Sequence, residues 1–301
     1  MNVVTTLPSA TELVCALGVE PVGVSHECDH PPVARDRPTV VRSRVDADAS
    51  AEAIDEAVHE AMAAGGVYEV DVETLDSLAP ELVIAQGICE VCAVDEVVVA
   101  DAVATIDADP TVLTMDPHTV DDVLGDLERL GRAMDRTERA TAVRADLEAR
   151  IESVRSRAAG VAERPRVAVF DWTDPVMVAA HWVPELVEAA GGAYGLANPG
   201  DRSRPREWAE IRAYDPEVLI VAPCGFELER AGQCVADLTG LPGWSALSAV
   251  REDRVWAMDG HHYVNRPGPR LVDTLEFLAG VIQPDRFEEP PSTVATRIDG
   301  R

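Results

Sequence analysis

The stretch IAQGICEVCAV, residues 84–94, sets Cys89 and Cys92 three positions apart directly after a short apolar run. That spacing is half of a zinc site when a second pair follows, and a redox pair in a thioredoxin-like setting. A third reading makes the two thiols small, polarisable groups on the rim of a pocket. His26, Cys28 and Cys224 stand in other loops and could join them around one soft metal, with Cys28, Cys89, Cys92 and Cys224 as the candidate ligands. No spacing fixes four ligands in tetrahedral order, so a reduced rim is the preferred reading and no metal is assigned. Cys15 in ELVCALG and Cys234 in QCVADL occupy apolar helical positions and read as core.

The other chemistry-bearing residues cluster in the segments that follow the expected strands. These are LPSATE, SHECDHP, VRSR, QGICEVC, DWTDP leading to AHWVPE, PCGFELER and DGHHYVNRPGP. Together they hold four of the six cysteines, five of the seven histidines and two of the five tryptophans. In an open α/β sheet the ligand sits beyond the carboxyl ends of the strands, so these segments are the candidate binding site. The chain has no lysine, which removes a Walker A loop, a Schiff base and a kinase-type lysine. It also lacks H-E-x-x-H, G-x-S-x-G and a G-x-G-x-x-G after a strand, so the chemistry reads as binding rather than catalysis.

What must position these loops is an alternation of strands and helices. The first half runs as strand NVVTT, helix SATELVCALG closed by Gly18, and strand VGVS, then a polar connection to helix SAEAIDEAVHEAMAAG. LAPELVIAQ, a helix around DEVVVADAVATI and strand TVLTM complete a mainly parallel sheet. Thr119 with Asp122 predicts a helix start, and the apolar spacing from Val120 predicts a helix ending near Met134. Asp135 with Glu138 reads as a capping box opening a second helix, from about Arg136 to Val161, roughly 39 Å long at 1.5 Å per residue. The second half restarts at PRVAVFDW and repeats the order. LAPELVIAQG is echoed by YDPEVLIVAPCG, and ELVCALG by ELVEAAGG. The expected division is an α/β lobe over 1–135, a connecting helix over 136–163, a second α/β lobe over 164–285 and a loose tail over 286–301.

Composition narrows the partners. The 301 residues are 47% hydrophobic, enough for real cores, and the formal charge is −28. Such a surface repels nucleic acid and anionic lipid, and it suits high salt, where screening shortens the reach of self-repulsion. No window approaches a membrane span, and the opening MNVVTTLPSATE shows neither a basic n-region nor an apolar h-region. The scattered cysteines fit a reducing compartment, so the expectation is a cytoplasmic monomer as the sequence is written, with the extracellular face as the alternative if the start site lies elsewhere.

The order of LPSATELVCALG, VGVSHECDHPP, ETLDSLAPELVIAQ, the helical bar, VPELVEAAGG and NRPGPRLVDTLE resembles the cobalamin and iron-siderophore substrate-binding proteins of ABC importers. The likeness covers nearly the whole chain and is strongest to the cobalamin binders. It implies two Rossmann-like lobes joined by one rigid helix, a ligand between them, and delivery to an ABC permease. It further implies cobalamin, another corrinoid or a metal chelate as ligand. The loops after the strands supply the candidate contacts for such a ligand: Ser9, His26, Arg44, Gln86, Cys89, Cys92, Trp172, His181, Trp182, Cys224, Phe226, His262 and Asn265. For permease docking the likeness marks Glu73 in the first lobe and, one position off the pattern, Glu207 and Glu210 in the second. The polar stretch VRSRVDADASAEAIDEAVHEAMAAGG and the cysteine-bearing loops depart from the importer pattern. They leave a rival in play, a cytosolic metal-handling protein or metalloenzyme on the same lobes.

Overall fold

The computed structural model describes residues 1–45, 56–61, 66–88, 93–160 and 163–298. They form two compact units, one of residues 1–117 with 125–143 and one of 118–124 with 144–301.

In the first unit β1 (Val3–Thr5), β5 (Leu82–Gln86) and β6 (Thr111–Met115) form a parallel sheet in the order β1-β5-β6. A second sheet pairs β2 (Val24–Ser25) with β3 (Thr39–Ser43) in parallel and β3 with β4 (Tyr68–Val70) antiparallel. A single bridge between Val4 and Gly23 links the two. Every residue of β5 is buried, the continuous apolar run that a strand covered on both faces requires. Of the expected helix SAEAIDEAVHEAMAAG, residues 56–61 are helical and the others lie outside the described residues. β4, after that helix, was not expected.

The second unit repeats the plan. β7 (Val167–Thr173), β10 (Val218–Val221) and β11 (Val255–Met258) are parallel in the order β7-β10-β11. Antiparallel strands extend both edges: β8 (Val176–Val178) and β9 (Arg204–Pro205) beside β7, and β12 (Ala295–Arg297) beside β11. The tail expected to be loose therefore closes a sheet edge, with Phe287, Val294 and Ala295 buried.

The sequence echoes are structural equivalences. Ala79 and Asp215 both take left-handed backbone, φ 43° and 48°, one residue before Pro80 and Pro216. Glu81 then accepts the backbone N–H of Asn2 at 2.6 Å, and Glu217 that of Arg166 at 2.9 Å. Each carboxylate pins the residue before the first strand of its own unit. The two helix ends match as well. Gly18 and Gly191 have φ 76° and 86°, and the following N–H closes back to Val14 and Val187. A β-carbon makes that conformation costly, so glycine holds both positions.

A helix over Val120–Ala133 precedes the long helix Thr137–Ala158, which passes from the first unit into the second between residues 143 and 144. Its 22 residues span roughly 33 Å. Ala140, Leu147, Ile151, Val154 and Ala158 form its buried stripe. Thr119 and Asp122 make the reciprocal capping pair expected of them: Thr119 Oγ1 accepts Asp122 N at 3.2 Å, and Asp122 Oδ2 accepts Thr119 N at 2.9 Å. Asp135 does not open the long helix. Its φ of 55° and the Arg136 N–H bond to the Gly131 carbonyl close the preceding one, and Asp is among the few side chains that tolerate this conformation.

Candidate functional site

In the first unit the candidate residues divide by burial. Ser9 is buried in the first turn of the helix Pro8–Ala16. His26, after β2, turns Nδ1 to the Val41 carbonyl at 3.1 Å and lies 6.2 Å from the Tyr68 ring. Arg44, after β3, is exposed and reaches Glu69 at 3.6 Å. Gln86 is only 2% exposed. Its Oε1 accepts Ile88 N at 2.8 Å and its Nε2 donates to the Ala93 carbonyl at 3.2 Å, so one amide holds both ends of the cysteine loop. Gln86 is thus buried, with its amide bonded to the backbone at Ile88 and Ala93.

Cys89 and Cys92 lie outside the described residues. Cys28 is buried, with its sulfur 3.0 Å from Thr11 Oγ1, which is itself 2.6 Å from Thr5 Oγ1. Cys15 is half-buried, and burial together with Glu20 pushes its thiol up to about 11, which makes it a poor nucleophile. Among the described residues no group of three or more His, Cys, Asp or Glu is arranged to hold a metal ion.

In the second unit, Trp172 at the end of β7 and Phe226 after β10 face each other with ring centroids 5.3 Å apart, and the Arg230 guanidinium lies 3.9 Å from the Phe226 ring centroid. Trp172 is half-buried, with its indole N–H given to the Asp174 carbonyl at 3.0 Å. Cys224, half-buried in the same loop, donates its backbone N–H to Asp171. Trp182 is buried and donates to the Val264 carbonyl at 3.0 Å, so it is a wall of the core. Asn265 is likewise a strut, its Nδ2 bonded to the Ala222 carbonyl at 3.0 Å. His262 Nδ1 is 2.8 Å from Asp259 Oδ2, which fixes the ring over the turn Gly260–Val264. His181 has φ 52° and stacks on His118, with their Nδ1 atoms 3.1 Å apart, so one ring donates to the other.

Arg230 and His118 were not read from the sequence. Arg230 stands four residues after Phe226, a spacing that places neighbours together on a helix, and this was the signal available. Asp171 was also missed. Its Oδ1 is buried without a partner, and burial pushes the carboxyl up to about 6, partly offset by a bond from Ser203.

Residues 3–261 match the family model for periplasmic binding proteins. The chain belongs to that family. Its members are substrate-binding proteins. The chain is 23% identical over 297 residues to an uncharacterized ABC transporter substrate-binding lipoprotein, YvrC, of Bacillus subtilis (strain 168), covering 96% of this chain and 82% of that protein. Among solved structures it is similar to a periplasmic heme binding protein from Pseudomonas aeruginosa, with a TM-score of 0.73 and 21% identity over 98% of each chain. It is also similar to the vitamin B12 binding protein BtuF of Vibrio cholerae, with a TM-score of 0.66 and 21% identity over 94% of this chain and 96% of that one. At these identities the likeness is one of fold. The B. subtilis relative is a lipoprotein and the family is periplasmic, so the cytoplasmic placement expected from the opening residues is corrected to one outside the cytosol.

Proposed function

We propose that this chain is the substrate-binding protein of an ABC importer, working outside the cytosol and carrying a flat, metal-centred ligand of the corrinoid, haem or iron-chelate class. Cobalamin or another corrinoid is the first candidate, from the motif order, and haem the second, from the heme-binding structural neighbour. The observation that carries the ligand class is the platform of Trp172 and Phe226 with Arg230 across the Phe226 ring. A macrocycle needs apolar walls for its ring and a few polar groups for its arms, and this edge of β7 supplies both.

Delivery requires a docking surface separate from the ligand contacts. Glu73 is exposed in the first turn of the helix Val72–Ser77, and Glu207 and Glu210 are exposed at the start of the helix Trp208–Tyr214. Both helices precede the proline-led strands β5 and β10, so the glutamates occupy corresponding places in the two units. Glu210 is 3.8 Å from Arg206, which leaves Glu207 the better second docking residue.

Calorimetry and tryptophan quenching with cobalamin and with haem test the ligand class. Binding of either, with quenching lost in Trp172→Leu, is the expected result. No heat and no quenching at tens of micromolar ligand, the order of magnitude of a weak functional site, would defeat it.

A further inference from the structure

A pocket of about 170 Å³ lies at the β8–β9 edge of the second unit, with Val178, Asp201, Arg202, Arg204, Pro205 and Arg206 among its lining residues. Three guanidinium groups face one carboxylate there. That is unusual in a chain with 54 acidic residues to 26 arginines, where each arginine has acids to spare. Arg150, for example, is bonded to both Asp273 and Glu276, and Arg144 to Asp121 and Glu148. The guanidinium groups of Arg202 and Arg204 make no hydrogen bond or ion pair among the described residues. Arg206 is engaged, giving one nitrogen to the Leu196 carbonyl at 2.7 Å and holding the other 3.8 Å from Glu210 Oε2, so Arg202 and Arg204 are the pair open to a ligand. The carboxylate of Asp201 is occupied by the backbone and side-chain nitrogens of Asn198, at 3.1 and 3.0 Å.

β9 is the edge strand of its sheet, and charge or proline at an edge blocks pairing with another chain. Carboxylates would do that equally well, and this chain uses them nearly everywhere else. Protection of an edge also needs no cavity. Unpaired arginines around a small concave space do what a fork of N–H donors is suited to, which is to hold an oxyanion. The volume admits about five waters at roughly 30 Å³ each, or one carboxylate or phosphate group with some of them, but no macrocycle. What enters is therefore an arm. Across the sheet Trp172 pairs with Met177 and Met177 with Pro205, so the pocket edge is two strand spacings, roughly 10 Å, from the aromatic platform.

We propose that this pocket binds an ionised oxyanion arm of the carried ligand, a carboxylate or a phosphodiester, so that the ligand is one that carries such an arm beside its metal-centred ring. The identity of the rest of the ligand rests on the function proposed above; the pocket's preference for an oxyanion does not.

The test has two arms, each run on the full chain and on an Arg202→Gln/Arg204→Gln variant, whose fold is checked by circular dichroism. In the first, citrate and phosphate are titrated against chloride at matched ionic strength while the unfolding midpoint is followed. A saturable rise in the parent, weakened about tenfold or more in the variant, is the expected result for bonds to charged groups. Equal responses in parent and variant overturn the proposal. In the second arm, haem is compared with its dimethyl ester, and cobalamin with cobinamide, which lacks the phosphodiester. The member of at least one pair that carries the oxyanion should bind about tenfold tighter, with the gap closing in the variant; the pair that shows it names the oxyanion. Equal affinities within both pairs overturn the proposal. If neither macrocycle binds but the variant abolishes the citrate response, the pocket stands and the corrinoid or haem reading falls.

Discussion

Trp172 and Phe226 reach each other from two different strand ends of the second unit, 5.3 Å apart and tilted by 47°, and the Arg230 guanidinium lies against the Phe226 ring. The phenyl ring is thus fixed between an indole and a cation, while Trp172 keeps part of its surface open. Trp172→Ala should weaken ligand binding by about tenfold, the loss of one aromatic contact worth roughly 1 kcal/mol beyond area. Calorimetry on folded variant protein checks it; unchanged affinity would place the ligand elsewhere.

The Glu217 carboxylate holds the residue before β7 by its backbone N–H and sits 3.3 Å from the Arg166 guanidinium. The group is about a third exposed, so solvent reduces its worth. Glu217→Ala should cost about 1 kcal/mol of stability, read as a lowered urea midpoint with unchanged slope. A loss of several kcal/mol would mean that strand β7 depends on this bond far more than its exposure suggests.

Asp171 gives a pH dependence with a definite sign. Its folded pKa of about 6 lies above the ordinary 3.8, so between those values the native state holds a proton that the unfolded chain has released. The group's contribution to stability is complete below about pH 4 and is lost as pH rises through 6. Asp171→Asn should therefore stabilise the protein by about 3 kcal/mol at pH 8 and make little difference at pH 4. Melting curves at the two values decide it, and an equal effect at both would show that the charge is not the cause.

Replacing Gln86 tests the loop clamp. Gln86→Leu keeps the volume but leaves Ile88 N–H and the Ala93 carbonyl without the amide, at a cost of about 2–4 kcal/mol. Amide exchange at Ile88 should accelerate, while Val83 in the middle of β5 stays protected to within the global loss. Slow exchange at Ile88 in the variant would count against the clamp.

Docking and binding should separate. Glu73→Arg and Glu207→Arg should each reduce uptake by about tenfold in cells carrying the cognate importer, with ligand affinity unchanged, because a rim charge acts on association with its partner. A matched fall in ligand affinity would place these residues in the binding site instead.

Much of the architecture was legible because it is written in local signals. The Pro-Glu-apolar starts of β5 and β10, the glycine stops at Gly18 and Gly191 and the Thr119 cap each depend on neighbours in sequence. β8, β9 and β12 were not legible. They are edge strands of two or three residues, and their pairing energy comes from β7 and β11 rather than from their own pattern. Asp135 misled because aspartate serves both at helix starts and in left-handed closures, and only the chain path distinguishes them. Trp182 and Asn265 read as ligand groups from their place near strand ends. Their polar atoms are spent on Val264 and Ala222, a fact of three-dimensional packing that spacing does not contain. The alternating arginines of DRSRPRE stand in plain sight in the sequence, but which of them lack a partner depends on packing: Arg206 is bonded to Leu196, and Arg202 and Arg204 are not bonded among the described residues.

Asn2 and Glu81 stand 79 residues apart, and Arg166 and Glu217 stand 51 apart. On a ribosome adding roughly 5–20 residues per second, the opening strand with its two valines waits roughly 4–16 seconds before its anchor has been synthesised, longer than β7 waits for its own. During that interval Val3 and Val4 are an unpaired apolar segment of the nascent chain, open to a holding chaperone. Until Glu81 and β5 have been made, β1 has no parallel neighbour to join, and a chain in that state can still be threaded through a membrane.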